Sequence, residues 1–128
     1  MSKKLAMTLG VIFLIVGILG FIPNPIVGTD ALFHADTWHN IVHIVTGLVL
    51  MYVSAKTAVS SGTMKIVGVV YLLVAILGLL AVDAGGMGTI LGFIQVNSAD
   101  NWLHVVLGII IVIAGFAKNE SSSPMAGM

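Results

Sequence analysis

The chain has no cysteine and no arginine, and only 8% of its 128 residues are charged. Without cysteine it can form neither a disulfide nor a thiolate metal site. Without arginine it lacks the side chain that recognises phosphate through two parallel hydrogen bonds, and a net charge of zero offers no basic surface for nucleic acid. Because soluble domains carry about 25% charged residues, this composition predicts an integral membrane protein whose main partner is the lipid bilayer.

Hydrophobic residues make up 59% of the chain, and the mean hydropathy is +1.15. A hydrocarbon core of about 30 Å requires about 20 apolar residues per helix, so the length allows four crossings. We predict an all-α fold with four transmembrane helices, at residues 5–22, 37–55, 64–82 and 98–117. Residues 1–117 then form one four-helix membrane domain, and residues 118–128 form a flexible cytoplasmic tail. Residues 56–63 form a polar link, and residues 89–96, which are apolar but too short to span, are expected to lie flat or re-enter at the interface.

The lysines indicate the orientation of this layout. All five fall on one side of it and four of the five acids fall on the other; the lysines are Lys3, Lys4, Lys56, Lys65 and Lys118. The positive-inside rule then predicts a multi-pass protein of the inner (plasma) membrane with both termini in the cytoplasm.

The openings of the second and fourth helices share the pattern Asn-x-x-His-x-x-x-Gly, with Asn101 lying 61 positions after Asn40. The first and third helices also match, so residues 5–55 and 64–117 are predicted to be two parallel helical hairpins related by a pseudo-twofold axis along the membrane normal. Small residues recur every seven positions on the second and fourth helices. Such stripes of small residues allow close helix approach in lipid. The stripes should therefore face inward.

Polar groups at the two openings have a structural interpretation. Asp36 is a plausible N-cap for the second helix, and Asn97 or Ser98 for the fourth. Asn40 and Asn101 would form polar pairs between the hairpins, for instance Asn101 with His43 and Asn40 with His104.

The same openings also permit metal binding. His39 and His43 have the i, i+4 spacing of paired metal ligands on one helix face. His104 and Asp100 would complete a set of three histidines and one carboxylate, which suits zinc or copper. His39 also occupies the repeat position of Asp100, so the two side chains could pair.

A tetrapyrrole is another alternative, since His43 and His104 could be the axial pair of one b-type haem, or could each hold a separate tetrapyrrole such as a chlorophyll. Gly47 and Gly108, four residues after each histidine, would leave room for a flat ring, or would instead serve helix contact. The absence of any cofactor also stays open at this stage.

Ser54, Thr46 and Ser60 are not placed beside a His–carboxylate couple, so we expect no enzymatic activity. We expect an accessory or structural subunit that packs against other membrane proteins or against itself. A His-ligated cofactor binder and a small transporter are the alternatives, although the middle of the membrane carries no predicted charge.

Two stretches resemble a known family. Residues 92–108, which include Asn-Ser-Ala-Asp-Asn-Trp-Leu-His, and residues 39–47 are similar to motifs of the bacterial membrane family catalogued as domain of unknown function 4383. The resemblance extends over about residues 5–117. It implies a small four-helix membrane protein with no assigned activity. Residues 33–36 depart from the family pattern, which puts a metal role for His34 in doubt.

Overall fold

The computed structural model describes residues 2–117, which form four helices and two small sheets. The helices are α1 (Ser2–Leu19), α2 (Thr37–Ser54), α3 (Thr57–Ala81) and α4 (Ser98–Ala117). The strands are β1 (Val27–Gly28), β2 (Phe33–His34), β3 (Met87–Ile90) and β4 (Ile94–Asn97). The expected cytoplasmic tail lies outside the described residues.

Two helical segments, Gly62–Ala81 in α3 and Ser98–Phe116 in α4, are long and apolar enough to cross a membrane. Together with the composition they indicate a membrane protein. The other two helices, α1 and α2, have 18 residues each.

The helices pack as two hairpins, α1 along α2 and α3 along α4. The small-residue stripes face inward as the heptad spacing predicts, and Gly47 and Gly108 are both buried. A Cβ atom added at Gly47 would lie 2.7 Å from the backbone oxygen of Gly10, so the two backbones approach closely here. A common apolar core then joins the hairpins; it contains Leu9, Phe13, Leu50, Met64, Tyr71 and Ile111.

Two predicted helix boundaries were wrong. The first helix ends at Leu19 rather than at residue 22, because the Asn24 side chain donates to the Leu19 carbonyl at 2.9 Å and turns the chain there. The third helix begins at Thr57, so the expected link of residues 56–63 shrinks to a tight turn around Ala55 and Lys56. No proline occurs between residues 26 and 123, so nothing prevents the helix from starting at once.

Residues 89–96 also differ from the expectation of a flat or re-entrant segment, because they belong to an antiparallel hairpin of β3 and β4. Leu91 and Gly92 both have positive φ, 54° and 81°, and they occupy the centre of its turn. Three residues separate the paired Ile90 and Ile94, and the Phe93 amide donates to the Ile90 carbonyl at 3.2 Å, so this is a three-residue hairpin loop. Ile90 and Val96 point into the protein and are buried, so the hairpin is anchored by apolar side chains.

Both connections lie at the same end of the bundle, and we call residues 20–36 and 82–97 the loop layer. The side-chain amide of Asn97 donates to the Leu32 carbonyl at 2.9 Å. A ring nitrogen of His34 lies 2.8 Å from the side-chain oxygen of Gln95. These bonds tie the two connections into one layer over the openings of α2 and α4.

Candidate metal centre

Two helix caps position the polar side chains at this end of the bundle. Asp36 caps α2, since its side chain accepts a hydrogen bond from the His39 amide at 2.9 Å. Asn97 caps α4 in the same way and accepts from the Asp100 amide at 3.0 Å. Both caps agree with the sequence prediction. They fix the first helical turn, so His39 and His43 share one inward face of α2, and Asp100 and His104 share one of α4.

Three histidines converge between these helices. His39, His43 and His104 are only 2%, 5% and 2% exposed. One ring nitrogen from each lies within 4.8 Å of the others. Their ring centroids are 4.6 Å apart for His39 and His43 and 5.5 Å apart for His39 and His104.

Asp100, which is 1% exposed, lies against the same cluster. Its Oδ2 atom is 3.4 Å from His39 Nε2 and 3.6 Å from His104 Nδ1. The structure therefore brings together all four residues that the sequence analysis grouped for zinc or copper, including the expected neighbours His39 and Asp100.

The tautomer of His39 follows from a contact with the loop layer. Its Nδ1 lies 2.9 Å from the backbone carbonyl oxygen of Gln95. Since a carbonyl can only accept, Nδ1 carries a proton, and in the neutral imidazole Nε2 is left with a lone pair on the side of Asp100. Protein metal ligands are commonly oriented by such a bond from the other ring nitrogen to a backbone carbonyl.

His34 is outside the cluster. Its two ring nitrogens lie 2.9 Å from the Thr29 carbonyl oxygen and 2.8 Å from the Gln95 side chain. With both nitrogens engaged, His34 serves to hold the loop layer together, in agreement with the doubt about a metal role.

Several buried polar atoms at this end of the bundle have no hydrogen-bond partner within the described residues. They are Asn40 Oδ1, His43 Nδ1, Asp100 Oδ2, His104 Nδ1 and both side-chain polar atoms of Asn101. An unsatisfied buried group costs about 1–3 kcal/mol, and such a concentration in a native fold calls for an ion or ligand, or another specific cause.

The predicted bonds from Asn101 to His43 and from Asn40 to His104 are absent among the described residues. Each asparagine instead packs within its own hairpin, Asn40 against Gly20 and Asn101 against Gly78. The reason is that Gly20 and Gly78 have no Cβ, and each asparagine side chain occupies the space left there. The asparagines are therefore helix-packing residues beside the histidine cluster.

A tetrapyrrole does not fit between His43 and His104. Both glycines that would leave room for the ring are in helix contact: a Cβ at Gly47 would lie 2.7 Å from the Leu14 amide nitrogen, and one at Gly108 would lie 2.8 Å from the Leu72 side chain. The cavity beside the histidines has a volume of about 140 Å³. Pockets for drug-sized molecules occupy roughly 300–1,000 Å³, so a macrocycle has no space here.

Two neighbours of the cluster were missed by the sequence analysis. Gln95 orients His39 through its backbone carbonyl, a group that every residue carries and that no sequence pattern marks. Tyr71 packs with its ring centroid 5.3 Å from that of His104, and its hydroxyl donates to Thr46 at 3.1 Å. The predicted sequence repeat matches Tyr71 to Phe13. The ring centroid of Phe13 lies 5.7 Å from that of His43.

The model of one protein family, described as "Domain of unknown function (DUF4383)", matches residues 3–117. The chain belongs to this family. The match takes in every helix and the loop layer of this DUF4383 protein, and with them the whole histidine cluster. No curated protein and no solved structure matches the chain.

Proposed function

We propose that this protein is a non-enzymatic membrane protein that binds one transition-metal ion through His39, His43, His104 and Asp100. The observation that carries the proposal is the convergence of three buried histidines, with one ring nitrogen of each within 4.8 Å of the others. The accessory role expected from the sequence stays a prediction. Metal binding is favoured over it because three of the buried atoms without hydrogen-bond partners in the described part of the chain, His43 Nδ1, Asp100 Oδ2 and His104 Nδ1, belong to the proposed ligands.

The distances around Asp100 support coordination. Zinc lies about 2.0–2.1 Å from histidine nitrogen and about 2.0–2.2 Å from carboxylate oxygen, so tetrahedral ligands are about 3.3 Å apart. Asp100 Oδ2 is 3.4 and 3.6 Å from its two histidine neighbours. These separations are long for a hydrogen bond but match two ligands of one ion. The histidine ring nitrogens lie up to 4.8 Å apart. Small side-chain rotations can bring them to the ligand spacing of about 3.3 Å.

The ligand set limits the choice of metal. Imidazole nitrogen suits zinc, copper, iron and nickel, and one carboxylate keeps the set on the harder side. No thiolate is present because the chain has no cysteine. Zinc and copper are the ions we expect, in agreement with the sequence analysis.

The membrane arrangement belongs to the proposal. We propose that all four helices cross the inner membrane as two parallel hairpin repeats, with both termini in the cytoplasm. The equivalent packing of Asn40 on Gly20 and Asn101 on Gly78 supports the repeat. Lys3, Lys4 and Lys56 lie at the bundle end away from the loop layer, which supports the orientation. The metal centre then lies near the outer face of the membrane.

Metal analysis tests the proposal directly. The protein is purified in mild detergent, stripped with a chelator, reloaded with zinc or copper and freed of excess metal. We expect one ion per chain and a higher melting temperature, because a ligand that binds only the folded state at 100 times its Kd adds about 2.7 kcal/mol of stability. Substoichiometric metal together with an unchanged melting temperature would refute the proposal.

Replacing Asp100 with asparagine should weaken metal binding while the fold is kept. Asparagine has the same shape as aspartate but lacks the charge. Loss of a residue that hydrogen-bonds to a metal ligand typically lowers metal affinity 10–100-fold, and Asp100 is proposed as a ligand itself. We expect at least this decrease in a competition titration with a chromogenic chelator. Asp30→Asn is the matched control, since Asp30 is exposed in the loop layer. Equal affinities of the two variants would show that Asp100 takes no part.

A further inference from the structure

A cavity of about 140 Å³ opens on the side of the bundle between α2 and α3, below the β3–β4 hairpin. Its rim carries exposed apolar side chains, among them Val42, Val70 and Leu91. Its inner wall includes His39, His43 and His104, which are all buried. The cavity therefore leads from the apolar surface of the protein to the proposed metal ligands.

Side chains of the bundle and of the hairpin line the cavity toward its two ends. Tyr71 and Thr46, which share a hydrogen bond of 3.1 Å, line it toward the middle of the bundle. Ile90 and Val96 of the hairpin, both buried, line it on the side of the loop layer. Access is thus lateral, through a surface that faces lipid if the helices cross the membrane as proposed.

The size and chemistry of the cavity limit what it can hold. A protein cavity of about 150 Å³ with apolar walls binds benzene, so this one accepts a single six-membered ring. The walls are apolar and exclude a charged guest. The histidine wall offers a metal ion, to which the donor atom of a guest would add as a fifth ligand beside the four protein ligands; zinc sites with an open position are known to expand from four to five ligands.

We propose that this cavity binds a small uncharged ring compound with one nitrogen or oxygen donor, which enters from the membrane and coordinates the metal held by His39, His43 and His104. This inference rests on the proposed metal binding. It adds that the centre is open to membrane-dissolved ligands rather than being a closed structural site.

The turn at the rim gives an independent observation. Leu91 has a φ of 54°, a left-handed conformation that costs an ordinary residue about 1–2 kcal/mol. A left-handed position favours Gly or Asn, yet Leu91 places an apolar side chain at the mouth of the cavity. Residues held in such conformations cluster at ligand sites.

Pyridine is the probe for this proposal, because it is uncharged, has the size of benzene and carries one nitrogen donor. The protein is loaded with Co²⁺, whose visible spectrum reports its coordination, and titrated with pyridine in detergent. We expect saturable spectral changes with pyridine and none with benzene. A spectrum that stays constant while one Co²⁺ per chain remains bound would overturn the inference and leave the proposed function intact. Failure to load any metal would remove both.

Val70→Trp provides the decisive variant. The indole should fill the cavity mouth and lower pyridine affinity at least 10-fold, while one Co²⁺ per chain is retained. Val69→Trp is the matched control, because Val69 is similarly exposed on α3 but does not line the cavity. Equal pyridine affinities of these two variants would contradict lateral entry.

Leu91→Asn keeps the test informative if tryptophan disturbs folding. Asparagine suits the turn, so the melting temperature should not fall. Loss of the apolar contact at the rim should still weaken pyridine binding severalfold with Co²⁺ stoichiometry unchanged. An unchanged pyridine affinity would count against the proposed cavity.

Discussion

Replacing His43 with alanine is expected to abolish stoichiometric metal binding. His43 is one of the three histidine ligands of the proposed centre and is 5% exposed, so no solvent molecule replaces it readily. Loss of an outer partner of a metal typically costs 10–100-fold in affinity. Loss of a ligand should cost more, so we expect a decrease above 100-fold. The measurement is metal content after gel filtration, combined with chelator competition for the affinity.

Two controls separate metal binding from folding. His43→Phe preserves a ring that can pack against Phe13, whose centroid lies 5.7 Å away in the present structure, and it should lose metal just as completely. His34→Gln removes a histidine whose nitrogens are already engaged outside the cluster, and it should keep one ion per chain. If His43→Ala binds as much metal, and as tightly, as the unmodified protein, the proposed metal centre is wrong.

Among the proposed variants, Gly47→Ala is expected to show the largest decrease in the free energy of unfolding. An added Cβ would lie 2.7 Å from both the Gly10 oxygen and the Leu14 nitrogen and 3.1 Å from the Leu14 Cα. All three are backbone atoms, so α1 and α2 must separate to make room. Overpacking of this kind typically costs about 1–3 kcal/mol. We expect a marked decrease in melting temperature by circular dichroism in detergent.

Gly62→Ala is the matched control for this prediction. A Cβ at Gly62 has nothing within 4 Å, although the residue also lies in a helix. Alanine favours a helix over glycine by about 1 kcal/mol, so the melting temperature should stay constant or rise. If both alanine variants melt alike, close approach at Gly47 does not hold the first hairpin together.

The predicted features that hold are those that depend on nearby residues or on the internal repeat. Asp36 and Asn97 could be identified as caps, because a cap bonds an amide three residues away. The second helix matches its predicted span within one residue, Thr37–Ser54. The offset between the two helix openings placed His39 opposite Asp100, and their side chains do meet at 3.4 Å.

Features that depend on neighbours distant in sequence were missed or wrong. Asn40 and Asn101 were expected to pair across the hairpins, yet each packs against a glycine of its own hairpin. The β3–β4 hairpin was not foreseen, because its apolar residues read equally well as an interfacial segment. The hairpin orients His39 through the backbone carbonyl of Gln95. Because every residue has such a carbonyl, no sequence pattern marks this contact.

The amino-acid sequence by itself determined the composition of a membrane protein, the four apolar helices with their caps and the polar signature at two helix openings. These follow from hydrophobic length and from interactions within a helical turn. Only the tertiary structure decided that three histidines and Asp100 meet in one buried cluster and that a cavity reaches them from the side. The reason is that such a site depends on how two hairpins pack against each other, and packing distances of a few ångströms are not encoded in any single stretch.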